Sequence, residues 1–134
     1  MHRLAMAAIA VLMLAGCAET STADAEKKAA GEAQRLAAAL AGHVPGKAQS
    51  CITSRDTSGP ESYGDSTLLF RDGRTIYRTE TSGSCRGAGR DTIFVTHLYG
   101  SELCRGDIAR LVERSGGFFA GSCAMGDFVP YRKE

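Results

Sequence analysis

The chain contains no tryptophan, three prolines and 7% aromatic residues in 134 positions. Any core must be built from aliphatic side chains and a few phenylalanines and tyrosines. Charge of one sign is also lacking: 16 Lys+Arg stand against 15 Asp+Glu. Phosphate binding wants a clear basic excess, so nucleic acid is not an expected partner. No run of 18 apolar residues occurs, which excludes a spanning helix by sequence. Lysine is missing from Ala48 to Tyr131, where all basic charge is arginine. No G-x-S-x-G, H-E-x-x-H or phosphate loop is present. The expectation is a non-enzyme that needs no cofactor and no metal.

The first sixteen residues read as a signal peptide. Met1-His2-Arg3 is a short basic start, and Leu4 to Leu14 is an apolar run too short to span a bilayer. Arg3 is the one charged side chain ahead of Cys17, so the remaining chain has equal basic and acidic counts. It has room for one small domain. Leu14-Ala15-Gly16-Cys17 resembles the lipobox of bacterial lipoproteins. That resemblance implies diacylglyceryl transfer to the Cys17 thiol, cleavage before it, and acylation of the new amine. Two or more acyl chains anchor firmly, at about 0.8 kcal/mol per buried methylene. By analogy with the sorting of enteric lipoproteins, Ala18 in place of an aspartate favours the outer membrane and its periplasmic face over the inner membrane.

Residues 17–46 read as a helical tether. Alanine, leucine, lysine, glutamate and glutamine dominate, and Asp24 to Ala41 should be helical. Asp24, Lys28 and Glu32 are spaced to pair along one side. Ala29, Ala33, Leu36, Ala37 and Leu40 form a thin apolar stripe, which leaves open whether Leu36 and Leu40 dock on the domain. Gly42 and then Pro45-Gly46 stop the helix.

Residues 47–134 form the expected domain. Glycine, serine and threonine become frequent, and Cys51, Cys85, Cys104 and Cys123 appear. In a short exported domain, four cysteines read as two disulfides. A zinc site would want close pairs such as C-x-x-C, whereas these gaps are 34, 19 and 19 residues. So small a core is marginal unless cross-linked. The expected fold is mainly β, α+β overall: a small disulfide-stapled antiparallel sheet or partly closed barrel after one N-terminal helix.

Thr67 to Arg78 carries the clearest local signal. Asp72-Gly73 between strand-like runs points to a hairpin with a type I′ turn. In that register Arg71 faces Arg74, Leu69 faces Ile76 and Thr67 faces Arg78. Leu68, Phe70, Thr75 and Tyr77 share the other face, assigned to the core. Further strands are expected at Ser50–Ser54, Thr92–Tyr99 and Phe128–Arg132. Asp107–Arg114 suits a helix or a strand, and strand is preferred. Run as an antiparallel meander, these strands bring Cys51 and Cys104 to one end and Cys85 and Cys123 to the other. The preferred bridges are therefore Cys51–Cys104 and Cys85–Cys123. Each closes a long loop, contributing about 4 kcal/mol in the chain-entropy model.

Few residues suggest a site. Arg71, Arg74 and Arg78 share one hairpin face and are candidates for an anion or partner contact: lipid phosphate, an acidic glycan or a carboxylate. Asp72 and Glu80 are candidate internal partners. Arg105-Gly106-Asp107 matches a tripeptide read by animal integrins, but a turn beside a cysteine explains it. Gly-Asp recurs at Gly64-Asp65 and Gly126-Asp127, without the clustering of a calcium loop. The cysteines at 85, 104 and 123 echo at intervals of 19, through a shared need for glycine turns. His43 and His97 have no nucleophile or metal context.

Cys51-Ile52 with the following Arg-Asp, Tyr77-Arg78, Ser84-Cys85, Leu103-Cys104-x-Gly-Asp107-Ile108 and Ser122-Cys123-x-x-Gly-x-Phe128-x-Pro130-Tyr131 together resemble a family of unknown function. Its members are small exported proteins of Gram-negative bacteria. The resemblance covers residue 47 to the end, implies disulfides and a strand after Asp107, and supplies no activity. Together these readings describe an outer-membrane lipoprotein bound to the membrane through Cys17. Its domain would bind an envelope protein or an anionic glycan or lipid, or help maintain the envelope. A periplasmic inhibitor of a cell-wall hydrolase such as lysozyme is the alternative, and an enzyme with an unreadable site is the third.

Overall fold

The computed structural model describes the backbone from residue 2 and the side chains from residue 21. One helix, α1 (His2–Leu40), is followed by eleven strands. These are β1 (His43–Pro45), β2 (Cys51–Thr53), β3 (Ser58–Tyr63), β4 (Thr67–Asp72), β5 (Thr75–Glu80), β6 (Ser82–Gly83), β7 (Thr92–Thr96), β8 (Glu102–Cys104), β9 (Ile108–Glu113), β10 (Phe119–Ala124) and β11 (Phe128–Lys133). Cys17 and the preceding segment lie outside the residues with described side chains. No helix among the described residues is long and apolar enough to cross a membrane. Residues 1–34 and 35–134 are separate compact units. The first is the body of α1; the second holds the last turns of α1 and every strand.

The strands form three antiparallel sheets: β1-β11-β5-β4-β3, β6-β10-β9-β7 and the pair β2-β8. The fold is mainly β with one N-terminal helix, as expected, and no barrel closes. Asp107–Arg114 is a strand, observed as β9. A single meander does not form. β2 leaves the first sheet to pair with β8, and β11 returns between β1 and β5. Both expected disulfides are nevertheless present, Cys51–Cys104 and Cys85–Cys123. The first joins directly opposed residues of β2 and β8.

The β4–β5 hairpin turns one residue later than the Asp-Gly reading places it. Asp72 pairs with Thr75, so Gly73 and Arg74 are the central turn residues. Gly73 has φ of +55° and no residue other than glycine has positive φ. That is the pattern of a type II′ turn, with glycine at its first centre, and not of type I′. Arg71 consequently faces Ile76, Leu69 faces Arg78 and Thr67 faces Glu80. No arginine opposes another across this pair, so the like-charge conflict of the expected register does not arise.

The first sheet is covered on both faces. Leu68, Phe70, Tyr77 and Phe128 turn inward to meet Leu111, Ala109 and Phe94 of the second sheet and Ile52 and Leu103 of the third. Phe70 meets the Phe94 and Phe128 rings edge-on, at 6.1 and 6.0 Å. The buried Cys85–Cys123 bridge belongs to this core. On the opposite face Leu69, Ile76 and Tyr63 pack under Leu36, Ala39, Leu40 and Tyr131. The end of α1 is thus docked through the leucines of its thin stripe. The second sheet is covered on its inner face only, by the shared core.

Candidate functional site

The hairpin arginines occupy different settings. Arg71 and Arg78 share the face that also carries Leu69 and Ile76, because strand residues two apart point the same way. Glu61, on β3, lies 3.5 Å from the Arg71 guanidinium. Arg78 donates to Glu80 at 2.8 and 2.9 Å. Glu80 also accepts from the Thr67 hydroxyl at 2.9 Å. Burial pulls the Arg78 guanidinium down, but hydrogen bonds to Glu80 and the Tyr131 oxygen outweigh it and hold its pKa above the ordinary value. Arg74 stands apart, in the turn. It lines a cleft of about 550 Å³ with Thr75, Arg132, Lys133 and Glu134. A second cleft, of about 510 Å³, is walled by Arg78, Glu80, Asp127, Val129 and Tyr131. Its charges are largely engaged with one another, since Asp127 accepts from Arg105 at 2.9 Å.

The other motifs resolve into local structure. In Arg105-Gly106-Asp107 the Asp107 carboxylate accepts from the Cys104 backbone N–H at 2.7 Å. Arg105 pairs with Asp127, and Gly106 supplies a φ of +90°. The tripeptide is a turn closed on its own groups. Asp65 pairs with Arg86, so the three Gly-Asp carboxylates are dispersed. His43 Nδ1 is 3.0 Å from the Ala41 carbonyl, and His97 is exposed. Glu102 lies close to Cys51 and Cys104. Both sulfurs are consumed in a disulfide, so no thiolate is left for a metal.

The feature that strand-by-strand reading missed is the outer face of the second sheet. An antiparallel sheet covered on one side should alternate apolar-in and polar-out. Inward positions obey: Ala109 and Leu111 on β9 are buried, as is Thr92 on β7. Outward positions do not. Ile93 and Val95 on β7, Ile108 on β9 and Phe119 on β10 are exposed by 45, 38, 65 and 60%. Ile93 faces Val112, and Val112 faces Phe119, so the apolar side chains run across three strands. Phe118, although 70% exposed, lies opposite Glu113 and so belongs to the other side of the sheet. The Arg110 guanidinium lies over the Phe119 ring, 5.4 Å from its centroid. Phe118-Phe119 directly after Gly116-Gly117 was the available signal; without the β9–β10 pairing nothing told which side of a sheet it would occupy.

No family model, curated protein or solved structure matches the chain.

Proposed function

We propose that this chain is a lipid-anchored protein of the bacterial envelope whose stapled domain binds a partner and does no chemistry of its own. The outer face of the second sheet carries this reading. Exposed large apolar side chains that collect on one face, in place of scattering singly, are a signature of an interaction surface. The address rests on Leu14-Ala15-Gly16-Cys17, and two disulfides fit an oxidising compartment such as the periplasm. Arg71 and Arg78 have carboxylate partners, so within the arginine group Arg74, with Arg132 and Lys133 beside it, is the stronger candidate for an anion contact.

Intact and non-reducing peptide mass spectrometry on protein from the native envelope tests the reading. The expected result is a chain beginning at an acylated Cys17, with Cys51 joined to Cys104 and Cys85 to Cys123. An unacylated chain overturns the anchor, and free thiols overturn the staples.

A further inference from the structure

We propose that the outer face of the second sheet seats the domain on an anionic phospholipid surface, the headgroup layer of the bilayer that holds the Cys17 anchor. This rests on the lipoprotein reading above and deepens it by naming the partner.

The charge pattern selects the partner. Outward positions of β7 and β9 alternate Ile93 and Val95 on one strand with Ile108, Arg110 and Val112 on the other. Beyond the strand ends, Asp91 and His97 flank β7, and Arg114, after β9, donates to the Arg90 carbonyl. No carboxylate occupies an outward position of these strands. Glu113 faces Thr92 at an inward position, and Asp107 is engaged with the Cys104 backbone. Within the strands, therefore, this face is apolar with one charge, the cation Arg110. Among the described residues Arg110 has no carboxylate partner; its one contact is the Phe119 ring. An aromatic ring beneath a guanidinium suits the layer where acyl chain meets phosphate: the ring enters the apolar side and the cation meets the headgroup.

Area argues against a second copy of the chain as occupant. Phe119, Ile93, Val95 and Ile108 are far short of the roughly 20–30 residues per side of a standard protein interface. A weak face suffices where the domain is already tethered, because the anchor turns docking into an intramolecular step at high effective concentration. Such a face also needs no deep pocket, and the two clefts described above lie on residues of the first sheet and its flanks.

The chain has no tryptophan, so one introduced on the face is a sole reporter. The acylated full chain carrying Phe119→Trp is reconstituted in phosphatidylethanolamine vesicles with and without phosphatidylglycerol, with acyl chains brominated near the headgroup as quencher. Insertion into the headgroup–acyl boundary predicts a blue-shifted emission and roughly twofold quenching with phosphatidylglycerol present. It predicts weaker quenching without phosphatidylglycerol or at high salt. Adding Arg110→Gln should abolish the lipid-charge dependence. Asp56→Trp, in the exposed loop between β2 and β3, should remain unquenched. Unquenched, solvent-like emission from Phe119→Trp in both vesicles overturns the proposal. So does equal quenching of both reporters. A blue shift that grows with protein-to-lipid ratio without bromine quenching assigns the face to self-association and also overturns it. Intact mass reports the anchor separately: if the chain proves unacylated, flotation of that chain with the same vesicles still decides whether the face binds lipid.

Discussion

Thr79 shows how a single atom is priced by its surroundings. It is 1% exposed, and its Oγ1 has no hydrogen-bonding partner among the described residues. A buried hydroxyl that exchanges water for nothing opposes folding, whereas a methyl of the same shape does not. Thr79→Val should raise the denaturant midpoint, with a gain of about 1 kcal/mol, read by urea unfolding at neutral pH. Tyr63 carries a perturbed phenol. Burial first, then the hydrogen bond to Glu61, raises its pKa above the ordinary 10.0. A raised folded-state value means that the unfolded chain ionises first. The contribution to stability is therefore complete below the ordinary value and is lost as pH rises through the folded one. Absorbance titration at 295 nm should show a late phenolate transition that Tyr63→Phe removes, and that variant should lose the matching part of the alkaline stability decline. Gly126 is fixed by space and not by φ: a Cβ there would collide with the Glu80 carbonyl oxygen.

The two faces of β4 and the outer face of β9 make the contrast at the scale of elements. Leu69 is fully buried beneath the end of α1, so Leu69→Ala should cost about 2–5 kcal/mol by opening a cavity. Ile108→Ala, on the exposed face, should change stability by no more than about 0.5 kcal/mol. Thermal unfolding of the two variants checks both; an equal loss would mean that the outer face is packed and not open. The sequence made one buried face of the hairpin readable because alternation survives a two-residue change of register: Leu69 meets Arg78 in place of Ile76, yet Leu68, Phe70 and Tyr77 still point inward; the arginine-bearing face, expected at the surface, buries Leu69 and Ile76 under the end of α1. The register itself was not legible, because Asp72-Gly73 is compatible with glycine at either turn centre. Nor was β3, whose Gly59-Pro60 argues against a strand. It is tolerated because β3 is an edge strand with a register shift between Ser58 and Glu61, where a missing N–H costs no ladder bond. Strand β10 was hidden in the same way by Gly121, at its own irregularity. The docking face was invisible for a deeper reason. An exposed Ile or Phe looks like core until pairing shows that the opposite side of the sheet is already the core.

Two sheets, a short strand pair and a helix end leave the whole molecule with little to bury, and the cross-links matter in proportion. The bridges close loops of 53 and 38 residues, each contributing about 4 kcal/mol by restricting the unfolded chain. They differ in what surrounds them. Cys85 and Cys123 lie in the main core beside Leu111 and Phe128, at 0 and 3% exposure. Cys51 and Cys104 are half-buried on the two-strand sheet. Chain entropy alone ranks the longer Cys51–Cys104 loop slightly ahead. Packing reverses the order, since deleting both core sulfurs also removes contacts from a close-packed interior. Paired Cys85→Ala and Cys123→Ala should therefore destabilise the domain more than paired Cys51→Ala and Cys104→Ala, by about 1–2 kcal/mol. Denaturant unfolding of the two double variants decides it. If the pair at 51 and 104 costs as much or more, stability is governed by loop length and the core bridge is only a link. If the core pair costs more, the bridge ties the segment after β6 to β10 within the second sheet, and with it the geometry of the exposed face.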